Sequence, residues 1–168
     1  MAVSIYGSGQ VVVGVKQAIG TAVLSFATGQ TWTDITGASL IVTPASSSNR
    51  VLVSFVVTGG ITSAANCFFR LVRNGTGICI GDPNVSSAQS SAGSLYQGNY
   101  TGRDNNYMLQ MTNQYLDSPA TSGSCTYKLQ IFVQSGATVI LGREASQASA
   151  ADSGTAPAFT LTTMEISG

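Results

Sequence analysis

The residues that could carry acid–base chemistry are few, and they are spread along the chain. The sequence contains no histidine, which excludes the Ser-His-Asp and Cys-His arrangements and removes the commonest general base and zinc ligand. The acidic residues have no spacing typical of a calcium loop or a glycosidase pair. They are Asp34, Asp82, Asp104, Asp117, Glu144, Asp152 and Glu165. We therefore predict no catalytic residue, cofactor or metal site; the alternative is a carboxylate pair that folding brings together, as in some sugar-cleaving enzymes.

The aromatic residues have two interpretations each. Trp32 is interpreted as a core or rim anchor rather than as a platform on which a sugar stacks. Four tyrosines are concentrated in the middle of the chain, where they predict either a glycan or subunit contact or core packing with the hydroxyl at the edge. They are Tyr96, Tyr100, Tyr107 and Tyr115. Asp117 stands before Ser-Pro and is interpreted as a turn residue.

The composition favours a protein that packs into an assembly. The chain has 168 residues, of which 43% are hydrophobic and 8% are charged, whereas about 25% charged residues is usual. A monomer in solution generally uses surface charge to avoid association. The net charge is zero and there is no basic run, so nucleic acid is not an expected partner. A neutral secreted binding domain is the alternative.

The chain shows no targeting or membrane pattern. Residues 1–6 lack the basic and apolar regions of a signal peptide, and no apolar run approaches the ~18 residues of a membrane span. The cysteines are Cys67, Cys79 and Cys125, and an odd number makes a poor disulfide framework. We interpret them as reduced packing residues of a protein made in a cytoplasm.

The elements that position these residues are strands, and the clearest signal is a hairpin at residues 67–80. Asn74-Gly75 is a two-residue link of the kind that a type I′ turn needs. It pairs Arg73 with Thr76, Leu71 with Ile78, and Phe69 with Ile80. Alternation then places one set of side chains on the core face. These are Cys67, Phe69, Leu71, Ile78 and Ile80.

The second face of the hairpin is unusually apolar for a solvent-facing surface. It carries Phe68, Arg70, Val72, Gly77 and Cys79. Either it holds sporadic exposed residues, or it is covered by another part of the chain or another subunit. We take Phe68, Arg70, Val72 and Cys79 as a candidate subunit interface, and expect Phe68→Asp to weaken oligomerisation while the fold survives.

About ten short strands separated by turn residues predict an all-β protein, an antiparallel β-sandwich of jelly-roll-like type. The strands are expected at residues 51–58, up to a Gly-Gly break, and at 21–26, 32–36, 38–43, 95–100, 107–115, 126–133, 137–141 and 158–166. Loops are expected at 81–94 and 143–157. Residues 21–168 form the sandwich domain. Residues 1–20 form its first strand or an N-terminal arm that adds to a neighbouring sheet.

Several phrases, in this order, resemble β-sandwich domains of tailed-bacteriophage virion proteins. The first are Trp-Thr-Asp-Ile-Thr-Gly at 32–37 and Val-Thr-Pro followed by Ser-Ser-Asn-Arg-Val-Leu-Val within 42–53. Phe-Arg-Leu-Val-Arg-Asn-Gly-Thr at 69–76 resembles their central hairpin. The segments 115–119, 126–130 and 163–166 resemble the later strands, so that the resemblance covers about residues 21–168.

The resemblance implies a structural protein on the virion surface, commonly a homotrimer, that contacts other virion proteins such as the major capsid or tail proteins. Because only a short arm precedes the domain, we expect a capsid decoration (cement) protein rather than a tail fibre or knob. The alternative is a fibre or knob that binds host-surface receptors, in particular glycans. An enzyme acting on surface polysaccharide and a secreted lectin-like module are further alternatives.

Overall fold

The structure is a computed structural model that describes residues 4–6, 10–27, 29–63, 65–82, 93–97, 108–134, 136–145 and 156–168. The loops expected at 81–94 and 143–157 lie largely outside the described residues, and so do Tyr100 and Tyr107. Of Tyr96 only the strand position is described.

The described chain is built of strands connected by turns and irregular segments. The strands are β1 (Ser4–Tyr6), β2 (Gln10–Gly20), β3 (Leu24–Ala27), β4 (Thr33–Val42), β5 (Arg50–Ile61), β6 (Ala65–Arg73), β7 (Thr76–Ile78), β8 (Gly93–Gln97), β9 (Leu109–Asp117), β10 (Cys125–Val133), β11 (Thr138–Leu141) and β12 (Phe159–Ile166).

The strands form two packed antiparallel sheets, which confirms the predicted β-sandwich. The seven-stranded sheet has the order β1-β2-β12-β5-β11-β3, and β9 pairs with the other edge of β5. The five-stranded sheet has the order β4-β10-β6-β7, and β8 also pairs with β6. Apart from β1 with β2 and β6 with β7, neighbours in each sheet are distant in sequence, so most of the packing depends on long-range pairing.

The core lies between the sheets because alternate side chains of each long strand point inward. In β5, β10 and β12 the odd-numbered residues are buried and most even-numbered residues are partly exposed. The largest fully buried side chains are Tyr127, Phe55, Phe69 and Phe159. Most of the buried side chains therefore come from strands in which every second residue points into the core, as the alternating sequence pattern indicates.

The hairpin at Asn74-Gly75 is confirmed. Both residues have positive φ, 49° and 86°, as a type I′ turn requires. Leu71 pairs with Ile78, and Arg73 pairs with Thr76. Cys67, Phe69 and Leu71 are completely buried, so this strand presents the predicted face to the core.

The far end of the hairpin was predicted wrongly. Strand β7 ends at Ile78, and Cys79 has φ of 53°, a left-handed conformation that a non-glycine residue seldom adopts. This turn takes Ile80 out of the register, so that its side chain is 42% exposed and lies outside the core. On this edge of β6, Phe69 pairs with Gly93 instead of Ile80. Cys79 packs against the core rather than on the second face.

Three glycines, at two places that look like strand breaks in the sequence, lie inside strands. Strand β5 continues through Gly59 and Gly60 to Ile61 and pairs there with β11. A Cβ atom at Gly59 would overlap the carbonyl oxygen of Ile140, so glycine permits the close approach. Likewise, β4 runs unbroken through Gly37, whose φ of 85° accompanies a register shift against β10.

Residues 10–20 belong to the chain's own seven-stranded sheet. Strand β2 pairs with β12 along nearly its whole length. A Cβ atom at Gly20 would occupy the position of the Phe159 ring. Residues 10–20 are therefore an internal strand of this sheet, between β1 and β12. Addition of this segment to a neighbouring subunit's sheet remains a prediction.

Candidate assembly surfaces

Phe68, Arg70 and Val72, which the sequence assigns to a subunit interface, lie on the outer face of the five-stranded sheet. Across β10 they stand opposite Phe132, Gln130 and Lys128 respectively. The fourth residue, Cys79, is not on this face because of its left-handed backbone. The face is therefore formed by β4, β10 and β6 together, rather than by the hairpin alone.

An aromatic cluster covers one end of this face. The rings of Phe68 and Phe132 meet edge to face with centroids 6.0 Å apart, and the ring of Trp32 lies 5.7 Å from that of Phe132. The Arg70 guanidinium carbon lies 4.4 Å from the centre of the Trp32 ring, which is a cation–π distance. Trp32 thus packs at the rim of the sandwich between Phe132 and Arg70; whether it also stacks on a sugar stays a prediction.

A chain of polar contacts continues from Arg70 across the sheet. Its Nε donates to Gln130 Oε1 at 2.8 Å, and Gln130 Nε2 donates to Asp34 Oδ1 at 2.6 Å. Lys128 Nζ donates to the other oxygen of Asp34 at 2.7 Å. These hydrogen bonds, first that of Lys128 and then that of Gln130, lower the pKa of Asp34, while burial lowers the pKa of Arg70.

Side chains from other parts of the same chain therefore cover much of the hairpin's second face. Val72 is 2% exposed and Phe132 is 8% exposed. Sequence reasoning missed the contributions of Asp34 and Phe132, because it did not place β4 and β10 beside the hairpin. The alternation of residues 126–133 showed which side chains share a face, but not which strand they pair with. That this face is a subunit interface remains a prediction.

The outer face of the seven-stranded sheet has a different character. Strands β2, β12, β5 and β9 bring their outward side chains into three adjacent rows. The rows are Ile19, Thr160, Val56 and Thr112; then Gln17, Thr162, Ser54 and Gln114; then Val15, Met164, Leu52 and Leu116. We call these three rows the neutral face, because none of their residues is ionisable.

Apolar side chains of the neutral face are open to solvent. Val15 is 56% exposed, Ile19 is 59% exposed and Leu116 is 39% exposed. Between them lie polar uncharged groups, and Gln17 Nε2 donates to Thr162 Oγ1 at 2.9 Å within the face. A contiguous surface of this kind is typical of a contact with another protein.

The neutral face ends in an apolar groove of about 270 Å³. The groove is lined by Val11, Val12, Leu52, Leu116, Met164 and Ile166, with Gln10 and Arg50 as its polar residues. Arg50 pairs with Ile166 through the backbone. Arg50 is the charged residue among those that line this largely apolar groove.

Three of the acidic residues that the structure describes are engaged in separate structural contacts. Asp34 forms the ion pair with Lys128, Asp117 accepts from Arg73, and Glu165 accepts from the backbone N–H of Ala45 at 2.7 Å. Within the described ranges there is no cluster of three or more histidine, cysteine or acidic side chains that could hold a metal ion. No disulfide joins the cysteines. No described helix is long and apolar enough to cross a membrane.

Comparisons with known proteins give no family to which the chain can be assigned. No family model and no curated protein matches this sequence.

Proposed function

We propose that the protein is a structural component of a bacteriophage virion, a homo-oligomer that decorates the capsid shell as a cement protein. The phage context comes from the sequence resemblance over about residues 21–168. The observation that carries the structural role is the neutral face, three rows of outward side chains from β2, β12, β5 and β9 without an ionisable group.

Covering such a face with a partner costs little desolvation free energy. Removing an ion from water costs several kcal/mol unless it is paired, whereas the neutral face presents threonine, glutamine and apolar groups. Exposed Val15 and Ile19 gain free energy when a partner covers them, at about 25 cal/mol per Å² of apolar surface. A protein that remained a monomer in solution would be expected to carry charge there.

The mechanism that we propose is stabilisation of the shell by binding. Copies of the chain associate, as a trimer in the simplest case, and together contact neighbouring capsid subunits. Because they bind the assembled shell and not its separated subunits, they stabilise the shell by mass action. This role needs no catalytic residue and places the protein on the virion surface after synthesis in the host cytoplasm.

The second candidate is a tail fibre or knob that binds host-surface receptors. It is favoured by the outer face of the five-stranded sheet, where Trp32 and Arg70 lie beside the amide of Gln130 and the carboxylate of Asp34. Aromatic rings with hydrogen-bonding groups around them are suited to saccharides. Binding of the purified protein to a glycan array and to host cells tests this alternative.

The first experiment measures the mass of the purified protein by light scattering and its binding to empty capsid shells. We expect a trimer that binds shells and raises their melting temperature. Thr112→Lys places a charge on the exposed edge of the neutral face and should weaken shell binding or association. Ser47→Lys, in an exposed turn outside the three rows of this face, is the matched control.

Three outcomes would argue against the proposal. A monomer that does not bind shells contradicts it, and an oligomer that binds host cells but not shells favours the fibre or knob. If Thr112→Lys and Ser47→Lys behave alike, the neutral face is not the contact surface.

A further inference from the structure

A buried hydroxyl on β12 has no hydrogen bond. Among the buried side-chain nitrogen and oxygen atoms of the described residues, Thr163 Oγ1 is the one without a partner, and Thr163 is 2% exposed. Leaving such a group unpaired is costly, and native proteins rarely do so. The hydroxyl therefore indicates a place where a group from outside the chain completes the bonding.

Thr163 lines a pocket of about 150 Å³ where β2 and β12 meet the end of β4. A single water molecule needs only about 10–15 Å³ of such space. Gly14 lies opposite Glu165 in the sheet and also lines the pocket. An added Cβ atom at Gly14 would meet no atom within 4 Å. The pocket therefore has room for a small molecule rather than for one water alone.

Glu165 brings a second unused acceptor to the pocket. It is 8% exposed, and its Oε1 accepts from the backbone N–H of Ala45 at 2.7 Å and from Asn49 Nδ2 at 2.6 Å. Its Oε2 accepts no hydrogen bond from the described residues, and neither ion pair found among them includes Glu165. A buried carboxylate without a cation is unfavourable, so a positively charged donor would be stabilised beside it.

Lys16 lines the same pocket and lies opposite Thr163 in the sheet. Its Nζ donates to the carbonyl oxygen of Ile41 at 2.7 Å, which leaves two of its three N–H groups for another acceptor. Lys16 and Glu165 form no ion pair with each other. A ligand with only a positive charge would be repelled by Lys16, and one with only a negative charge by Glu165. The lining is thus complementary to a molecule that carries both charges.

We propose that this pocket binds a small zwitterion that has a primary ammonium group and a carboxylate, the chemistry of a short amino acid. The ammonium group donates to Glu165 Oε2 and Thr163 Oγ1, and the ligand's carboxylate accepts from Lys16 Nζ. Val42 forms part of the apolar lining, against which a short carbon chain packs. Binding at this site does not depend on the proposed role in a capsid.

Calorimetric titration of the purified full chain with defined probes tests the charge requirement. The zwitterions are glycine, β-alanine and 4-aminobutanoate, which separate the two charges by increasing lengths. Ethylammonium and acetate each carry one charge, and trimethylglycine carries both but has no N–H to donate. We expect at least one of the three zwitterions to bind about tenfold or more tightly than each of these controls. Binding of none of the three, or equal binding of zwitterions and controls, would overturn the proposal.

Thr163→Val tests the location of the site. The variant removes the unpaired hydroxyl at nearly constant shape, so it should melt at or above the wild-type temperature. It should nevertheless bind the zwitterion about tenfold or more weakly. Thr76→Val, at an exposed strand position outside the pocket, is the matched control and should bind normally. If Thr163→Val binds as tightly as Thr76→Val, the ligand does not occupy this pocket.

Two charge variants separate the roles of the ends of the ligand. Glu165→Gln retains a side-chain oxygen for Ala45 and Asn49 but removes the negative charge, and it should weaken binding of the zwitterion. Lys16→Met should also weaken that binding, while binding of ethylammonium becomes equal or tighter because the repelling cation is gone. Unchanged affinity for the zwitterion in both variants would show that its charges are not recognised by these residues.

Discussion

At the scale of single residues, the Asp117 carboxylate connects the two sheets. It ends β9 of the seven-stranded sheet and accepts hydrogen bonds from Arg73 of β6 and Tyr127 of β10, each at 2.7 Å. Asp117 is 4% exposed, so these contacts are made largely out of water. A buried charge that loses its partners is costly, which makes this cluster more important for stability than the exposed pair of Asp34 with Lys128.

We predict that Asp117→Ala destabilises the protein by about 3 kcal/mol, because it leaves the Tyr127 hydroxyl and the Arg73 guanidinium without their acceptor. Asp34→Ala is the control and should cost less than about 1 kcal/mol, since the side chain of Asp34 is 47% exposed and surface pairs contribute little. Urea unfolding of both variants gives the comparison. Similar losses for the two would contradict the assignment.

The same cluster predicts a decline of stability at alkaline pH. Burial, and then the hydrogen bond to Asp117, raise the pKa of Tyr127 well above its ordinary value. The folded protein therefore keeps a proton that the unfolded chain releases near pH 10. Its stabilising contribution is complete below about pH 9 and is lost as the pH rises further, by up to about 1.4 kcal/mol per pH unit.

Unfolding measured in urea from pH 8 to 11.5 should show a smaller alkaline slope for Tyr127→Phe than for the wild type. The lysines, cysteines and other tyrosines are common to both proteins, so the difference reports on Tyr127. Identical slopes would show that the hydroxyl titrates alike in the folded and unfolded states.

The sequence did not reveal this cluster. Asp117 precedes Ser-Pro and was interpreted as a turn residue, whereas the structure buries it between the sheets. Arg73 is 44 positions away and Tyr127 is 10 positions away, on strands whose pairing no local pattern specifies. A charge cluster of this kind depends on which strands become neighbours in the fold. Strand propensity and the alternation of apolar residues do not specify those neighbours.

At the scale of elements, residue types predict the local turns correctly. They do not predict contacts that depend on distant strands or on an unusual backbone conformation. The Asn74-Gly75 hairpin was predictable because two residues determine its turn and its first pairs. The path after Ile78 was not, because it depends on a left-handed conformation at Cys79, a residue type that gives no signal for it. Gly59 and Gly60 suggested a break, although they serve close packing inside β5.

We predict that Gly59→Ala destabilises the fold by about 2 kcal/mol, because its Cβ atom would meet the Ile140 carbonyl and lie 3.0 Å from a Leu141 methyl carbon. Gly14→Ala is the matched control in β2, where no atom lies within 4 Å of the added Cβ. That substitution should change stability by less than about 1 kcal/mol. Thermal unfolding of the two variants tests the difference, and a tolerated Gly59→Ala would mean that β5 and β11 can separate.

At the scale of the whole molecule, the sandwich distributes its few charges unevenly. The outer face of the five-stranded sheet holds the network of Arg70, Gln130, Asp34 and Lys128, while the neutral face of the other sheet holds none. Alternating patterns predicted the sandwich but not this asymmetry. The neutral face joins residues as far apart as Val15 and Met164, so it becomes visible only when the strand order is known.

The asymmetry changes the expected outcome of Phe68→Asp. Phe68 packs on Phe132, so an aspartate there removes an aromatic contact and places a carboxylate against a buried ring. We expect a stability loss of about 1–3 kcal/mol, below that of a fully buried phenylalanine. The oligomer mass should be unchanged if the neutral face, rather than this face, contacts the neighbouring subunit. Thr112→Lys on the neutral face should have the opposite effect, a lower mass with little change in stability. Light scattering and thermal unfolding of both variants therefore decide which sheet faces the neighbouring subunit: loss of the oligomer in Phe68→Asp alone would restore the interface predicted from the sequence.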